Sequence, residues 1–66
     1  MVNTGLIEVA SSVIRAVGYD GRVLTVLFHS GRIYDHPGVP YNVYLELLNA
    51  SSVGAYYNQN IRGRYR

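Results

Sequence analysis

Cysteine is absent from the 66 residues, so no disulfide framework exists, and a structural metal site would have to be assembled from two histidines and scattered carboxylates. Lysine is absent as well: the six basic side chains are all arginine, set against four carboxylates, for a net charge of +2. That is thin for non-specific nucleic-acid binding, which draws its free energy from neutralising many phosphates along a basic stripe. No run reaches the roughly 18 apolar residues of a membrane span, and the N-terminal "MVNTGLIEVASS" lacks a basic start and an apolar middle. A soluble, cytoplasmic protein with no membrane partner is the expectation.

What the chain does have is seven tyrosines beside the six arginines. Both favour planar, hydrogen-bonded contacts, whereas lysine acts as a solvated point charge. A single domain of this size carries a core worth only about 3–5 kcal/mol, and with no covalent staple a homo-oligomer is expected to supply the rest. Residues 1–10 read as a leader and 62–66 as a basic tail.

Three stretches are rich in β-branched and aromatic residues: 12–19 "SVIRAVGY", 22–29 "RVLTVLFH" and 32–36 "RIYDH". The dipeptides Asp20-Gly21 and Ser30-Gly31 between them suit two-residue hairpin turns. That register opposes Tyr19 to Arg22 and His29 to Arg32. It gathers Val13, Val17, Leu24, Val26, Phe28 and Ile33 on a core face, and Ser12, Ile14, Ala16, Thr25, Leu27, His29, Arg32, Tyr34 and His36 on an open one. Pro40 then suits the first turn of a helix over about 40–50 with Val43, Tyr44, Leu47 and Leu48 as its stripe. Ser51 or Ser52 can cap a second helix, with Val53, Tyr56, Tyr57 and Ile61 inward and its end near Gly63. The fold expected is α+β, a three-stranded antiparallel meander followed by two short helices packed on one sheet face (β-β-β-α-α).

The segments "SSVIRAVGYD", "LTVLF", "SGRIY", "VPYNVYLELLNA" and "SSVGAYYNQNIRGRY" resemble, in sequence and order, the KTSC domain. This small module occurs alone in bacteria and phages and at the C-terminus of some lysyl-tRNA synthetases. The resemblance runs from Ser11 to Tyr65. The family carries a central Tyr-x-Tyr motif; here Tyr34 holds its first position and His36 stands at the second. Asn58 lies in the segment similar to the family's aromatic-Asn stretch, and the first hairpin loop looks shorter than the family's. Attachment to a synthetase implies RNA as one class of ligand.

For catalysis, His29, His36 and Asp35 have no spacing that predicts an acid/base pair or a nucleophile with its base, Asp35 pointing away from both histidines. Two histidines seven residues apart specify no metal geometry. No catalytic residue, metal or cofactor is therefore expected. Binding has better candidates. Arg32, Tyr34 and His36 share the open face, where an aromatic can stack on a base while arginine holds a phosphate; the same composition suits a subunit interface. Asn58 is a polar residue on the second helix, equally suited to a local hydrogen bond. Arg62, Arg64 and Arg66 surround Tyr65 in the tail and can clamp a phosphate bidentately. The leading expectation is a non-catalytic binder of a phosphate-bearing nucleotide ligand, sequestering a signalling nucleotide at an oligomer interface. The alternatives are an RNA-binding module for tRNA or single-stranded RNA, and a protein-interaction module.

Overall fold

The computed structural model describes residues 6–65. Strands β1 (Ile7–Glu8), β2 (Ile14–Tyr19), β3 (Leu24–Phe28) and β4 (Ile33–His36) form an antiparallel sheet in the order β1-β2-β3-β4. Helix α1 (Tyr41–Asn49) follows, then α2 (Val53–Tyr56), which runs on as a π-helical segment, Tyr57–Ile61. The class is α+β, but the sheet has four strands, not three. Ile7 and Glu8, within the stretch read as a leader, pair with Val17 and Ala16. A strand of two residues is too short to display alternation, so its pairing has no signature in the sequence.

Both hairpins are wider than two-residue turns. In the first, Tyr19 opposes Leu24, leaving Asp20 to Val23 as a four-residue loop. Asp20 Oδ1 accepts from the backbone N–H of Val23 (2.7 Å) and Arg22 (2.9 Å), an Asx turn that also holds its carboxyl below the usual carboxylate range. Two extra residues preserve alternation, so Val17, Leu24 and Val26 remain on the core face. The second hairpin differs by one. Phe28 N–H donates to the Arg32 carbonyl and Gly31 N–H to the Phe28 carbonyl, both at 2.9 Å, with Gly31 at φ +96°. This is a three-residue loop with a left-handed glycine. Leu27 thereby opposes Ile33, Val26 opposes Tyr34 and Leu24 opposes His36.

That single residue turns β4 over. Ile33, expected in the core, is 59% exposed, and His36, expected on the open face, is 8% exposed beneath the helices. Arg32 and Tyr34 change sides with it. A second departure lies in β2, where a bulge between Ile14 and Ala16 exchanges two neighbours: Ile14 is fully buried and Val13 is 49% exposed.

The core joins Ile14, Val17, Leu24 and Val26 from the sheet to Val39, Tyr44, Leu47, Val53, Tyr57 and Ile61 from the helical half. The Pro40 carbonyl accepts the first helical N–H groups, and α1 begins at Tyr41. Tyr19 stacks on Tyr44 at 4.7 Å, and its hydroxyl donates to the Val39 carbonyl at 2.5 Å, fastening the helix start to the sheet. Ser52 caps α2, its hydroxyl oxygen accepting from Ala55 N–H. The opposite face of the sheet, with Leu27, Ile33 and the Thr25–Asp35 hydrogen bond (2.8 Å), carries no helix among the described residues.

The two helices are linked by the Tyr56 hydroxyl, which donates to Glu46 Oε1 at 2.7 Å. This bond pushes the Tyr56 phenol up to about 12, and burial raises Tyr44 and Tyr57 as well. A phenol with a raised value in the folded state stabilises the fold fully below its unfolded value near 10, and that contribution disappears as pH climbs through the folded value. Urea midpoints measured from pH 8 to 12 should therefore be level up to about pH 10 and fall above it. Glu46→Gln should lessen the Tyr56 part of that fall. A midpoint that rises above pH 10 would contradict the assignment.

Candidate functional site

Turning β4 over puts its Tyr34 and His36, and Arg32 just before it, beside the end of the second helix. They meet there around an open pocket of about 580 Å³, whose wall also includes Phe28, Tyr57, Asn58 and Arg62. The volume lies within the range of small-molecule sites. Its inner wall is a chain of aromatic contacts: Tyr34 edge-to-face with Phe28 at 5.6 Å, Phe28 with Tyr57 at 5.5 Å, and Tyr57 with the His36 imidazole at 5.3 Å. Tyr34, 44% exposed, presents its remaining surface to solvent.

The protons of the inner wall follow from chemistry. His36 Nδ1 lies 2.5 Å from the Tyr65 carbonyl and Nε2 lies 2.8 Å from the Tyr57 hydroxyl. A carbonyl only accepts, so Nδ1 carries the hydrogen; in the neutral ring Nε2 is then the acceptor, and the Tyr57 hydroxyl donates to it. Burial pushes the Tyr57 phenol upward, a trend reinforced by Tyr34 and opposed by Arg62. Packed edge-to-face and joined by this bond, the two rings form one side of the wall.

The two guanidiniums sit at the rim. Arg32 Nη1 donates to the Tyr34 hydroxyl at 3.3 Å, which raises the arginine further above its already high range. Arg62 Nη1 donates to Asn58 Oδ1 at 3.4 Å, one turn back along the helix. The helix is wide here: Arg62 N–H donates to the Tyr57 carbonyl, five residues earlier, at 2.9 Å. Such π turns recur at functional sites. Among the described residues, no carboxylate lines the pocket.

Of the seven candidate binding residues, Arg32, Tyr34, His36, Asn58 and Arg62 line this one pocket, though on the helix-covered side of the sheet and not on its open face. Arg64 is exposed outside the lining, and Arg66 lies outside the described residues. His29 is also apart, bonded through Nε2 to the Ser11 carbonyl at 2.8 Å, so the two histidines do not converge. Tyr57 was expected only in the core; it is buried and also part of the wall. Phe28 was likewise assigned to the core. Its signal as a wall residue was the three-residue reading of the Ser30-Gly31 turn, which sets Tyr34 beside it. Among the described residues no group of three or more histidine or acidic side chains is placed to hold a metal ion, and no helix is long and apolar enough to cross a membrane.

The profile of the KTSC domain matches residues 10–65. The fold is similar to the crystal structure of a KTSC domain protein from Yersinia pestis, with a TM-score of 0.88 at 30% identity, covering 92% of this chain and 89% of that one. A protein of Stutzerimonas stutzeri is 40% identical over 55 residues, 80% of this chain and 78% of its relative. A lysine-tRNA ligase of Nostoc punctiforme is 35% identical over 63 residues, 92% of this chain but 11% of the ligase.

Proposed function

We propose that this chain, which belongs to the KTSC domain family, is a non-catalytic binding protein whose pocket takes a phosphate-bearing nucleotide. The observation that carries this is the convergence of Arg32 and Arg62 with the exposed ring of Tyr34 and the amide of Asn58, with no carboxylate among the described residues of the lining. Arginine binds phosphate through paired N–H groups, and a tyrosine ring with one side open offers a stacking surface for a base. Holding the ligand, as in sequestering a signalling nucleotide, uses the wall without asking any group to change its protonation. A second copy covering the open rim belongs to this proposal, because one protomer encloses the ligand from one side only.

Isothermal titration with a panel of ribonucleotides tests it. Arg32→Ala and Arg62→Ala are each expected to weaken binding by about tenfold or more, and Tyr34→Ala by a similar factor. All three side chains are exposed, so the variants should keep the wild-type unfolding curve. Affinity unchanged in all three would remove the site. Light scattering with and without nucleotide reads the second copy.

RNA is the second reading, favoured by the similarity to lysine-tRNA ligases. It predicts tight binding of oligonucleotides over mononucleotides and a steep fall in affinity with salt. Failure of both nucleotide and RNA would favour a protein partner on the open sheet face around Leu27 and Ile33.

A further inference from the structure

Resting on the nucleotide reading, we infer that the pocket selects a terminal phosphomonoester over a phosphodiester. The two guanidiniums are each aimed by a neutral oxygen, the Tyr34 phenol at 3.3 Å for Arg32 and the Asn58 amide at 3.4 Å for Arg62. An arginine oriented by a carboxylate has its charge largely neutralised. These two are oriented and keep theirs. Each uses one of its five N–H donors on that partner, which leaves a fork for an incoming oxyanion.

Two further donors of the wall are already engaged, while the Tyr34 hydroxyl, the Asn58 amide N–H groups and the Ser30 hydroxyl are neutral donors that can add hydrogen bonds without adding charge. The Tyr57 proton goes to His36 Nε2, and the His36 Nδ1 proton goes to the Tyr65 carbonyl. The positive charge offered to an anion is thus that of two guanidiniums, with no carboxylate among the described residues of the lining to oppose it. A terminal phosphate carries about −1.5 to −2 at neutral pH and three free acceptor oxygens. An internal diester carries a single negative charge and two free oxygens. The first satisfies both forks and both charges; the second leaves one of the two exposed guanidiniums without an anionic partner and so forfeits a charge-assisted contact. The base lies on Tyr34, whose other side is packed by Phe28.

The shared chemistry, a phosphate at the end of a nucleoside, occurs both in free nucleotides and at the end of an RNA strand. Titrations at pH 7.5 with AMP, the methyl ester of its phosphate and adenosine test the selection. A trinucleotide with and without a 5′-phosphate identifies the source. AMP is expected to bind about tenfold or more tightly than its methyl ester, adenosine weakly, and the phosphorylated trinucleotide more tightly than the unphosphorylated one. Arg32→Ala or Arg62→Ala should shrink the preference for AMP over its ester, which a general loss of affinity would leave unchanged. If the ester binds as well as AMP, the selection is overturned while the nucleotide reading stands. If no nucleotide or trinucleotide binds, both fall together. Preference for AMP over the phosphorylated trinucleotide assigns a free nucleotide, and the reverse an RNA end; either supports the selection.

Discussion

Replacing Leu47 with alanine is expected to leave the chain mostly unfolded at 25 °C. Leu47 is fully buried on the inner side of α1, within a core shared by four sheet residues and both helical segments. Truncating a buried leucine removes its transfer free energy and leaves a cavity, at a cost of about 2–5 kcal/mol. A domain of this size has roughly 3–5 kcal/mol of stability to lose, and no disulfide limits the unfolded ensemble. Leu45, two residues away and 37% exposed, is the matched control, and Leu45→Ala should cost under about 1 kcal/mol. Far-ultraviolet circular dichroism against urea separates the two. A Leu47→Ala variant with a complete folded baseline and a loss below about 1 kcal/mol would mean that the core lies elsewhere.

His36→Leu is expected to cost about 2–4 kcal/mol, although leucine is apolar and of comparable bulk. The change leaves two groups without their partner, the buried hydroxyl of Tyr57 and the carbonyl of Tyr65, each worth about 1–3 kcal/mol when left unsatisfied. The diagnostic measurement is a double-mutant cycle. Tyr57→Phe alone strands His36 Nε2 and should destabilise, whereas in the His36→Leu background it removes a hydroxyl that has already lost its acceptor and should cost little or even help. Additive costs in urea unfolding would show that the Tyr57–His36 bond is not formed in solution.

How far the sequence leads depends on counting residues in turns. Val17, Leu24 and Val26 could be placed in the core without the right loop length, because a four-residue loop in place of a two-residue one shifts the register by two and leaves alternation intact. β4 had no such protection. Ser30-Gly31 reads equally well as a two-residue turn or as the end of a three-residue one, and a backbone hydrogen bond from Phe28 to Arg32 makes the choice. The consequence reaches the site. The residues 32, 34 and 36 share a side under either reading, so their grouping could be read from spacing alone. Which surface they share could not, and with it went their proximity to Asn58 and Arg62. The bulge that exchanges Val13 with Ile14 left no mark either, since both residues are β-branched and apolar. The stripes Val43, Tyr44, Leu47, Leu48 and Val53, Tyr56, Tyr57, Ile61 were plain at helical spacing; five of the eight are buried, and Val43, Leu48 and Tyr56 pack half-buried against them. That the last turn would widen by one residue was not written in those positions.

The bond between His36 and the Tyr65 backbone has a practical meaning for anyone handling this protein. It fastens the chain near residue 65 to the same imidazole that helps wall the pocket, and Gly63 lines that pocket too. On the nucleotide reading proposed above, a substitution or a fluorophore at Gly63 or Tyr65 therefore acts on the pocket wall itself. An acidic label placed there would repel an anionic ligand, so a titration on the labelled protein would report a silent pocket in a protein that folds normally.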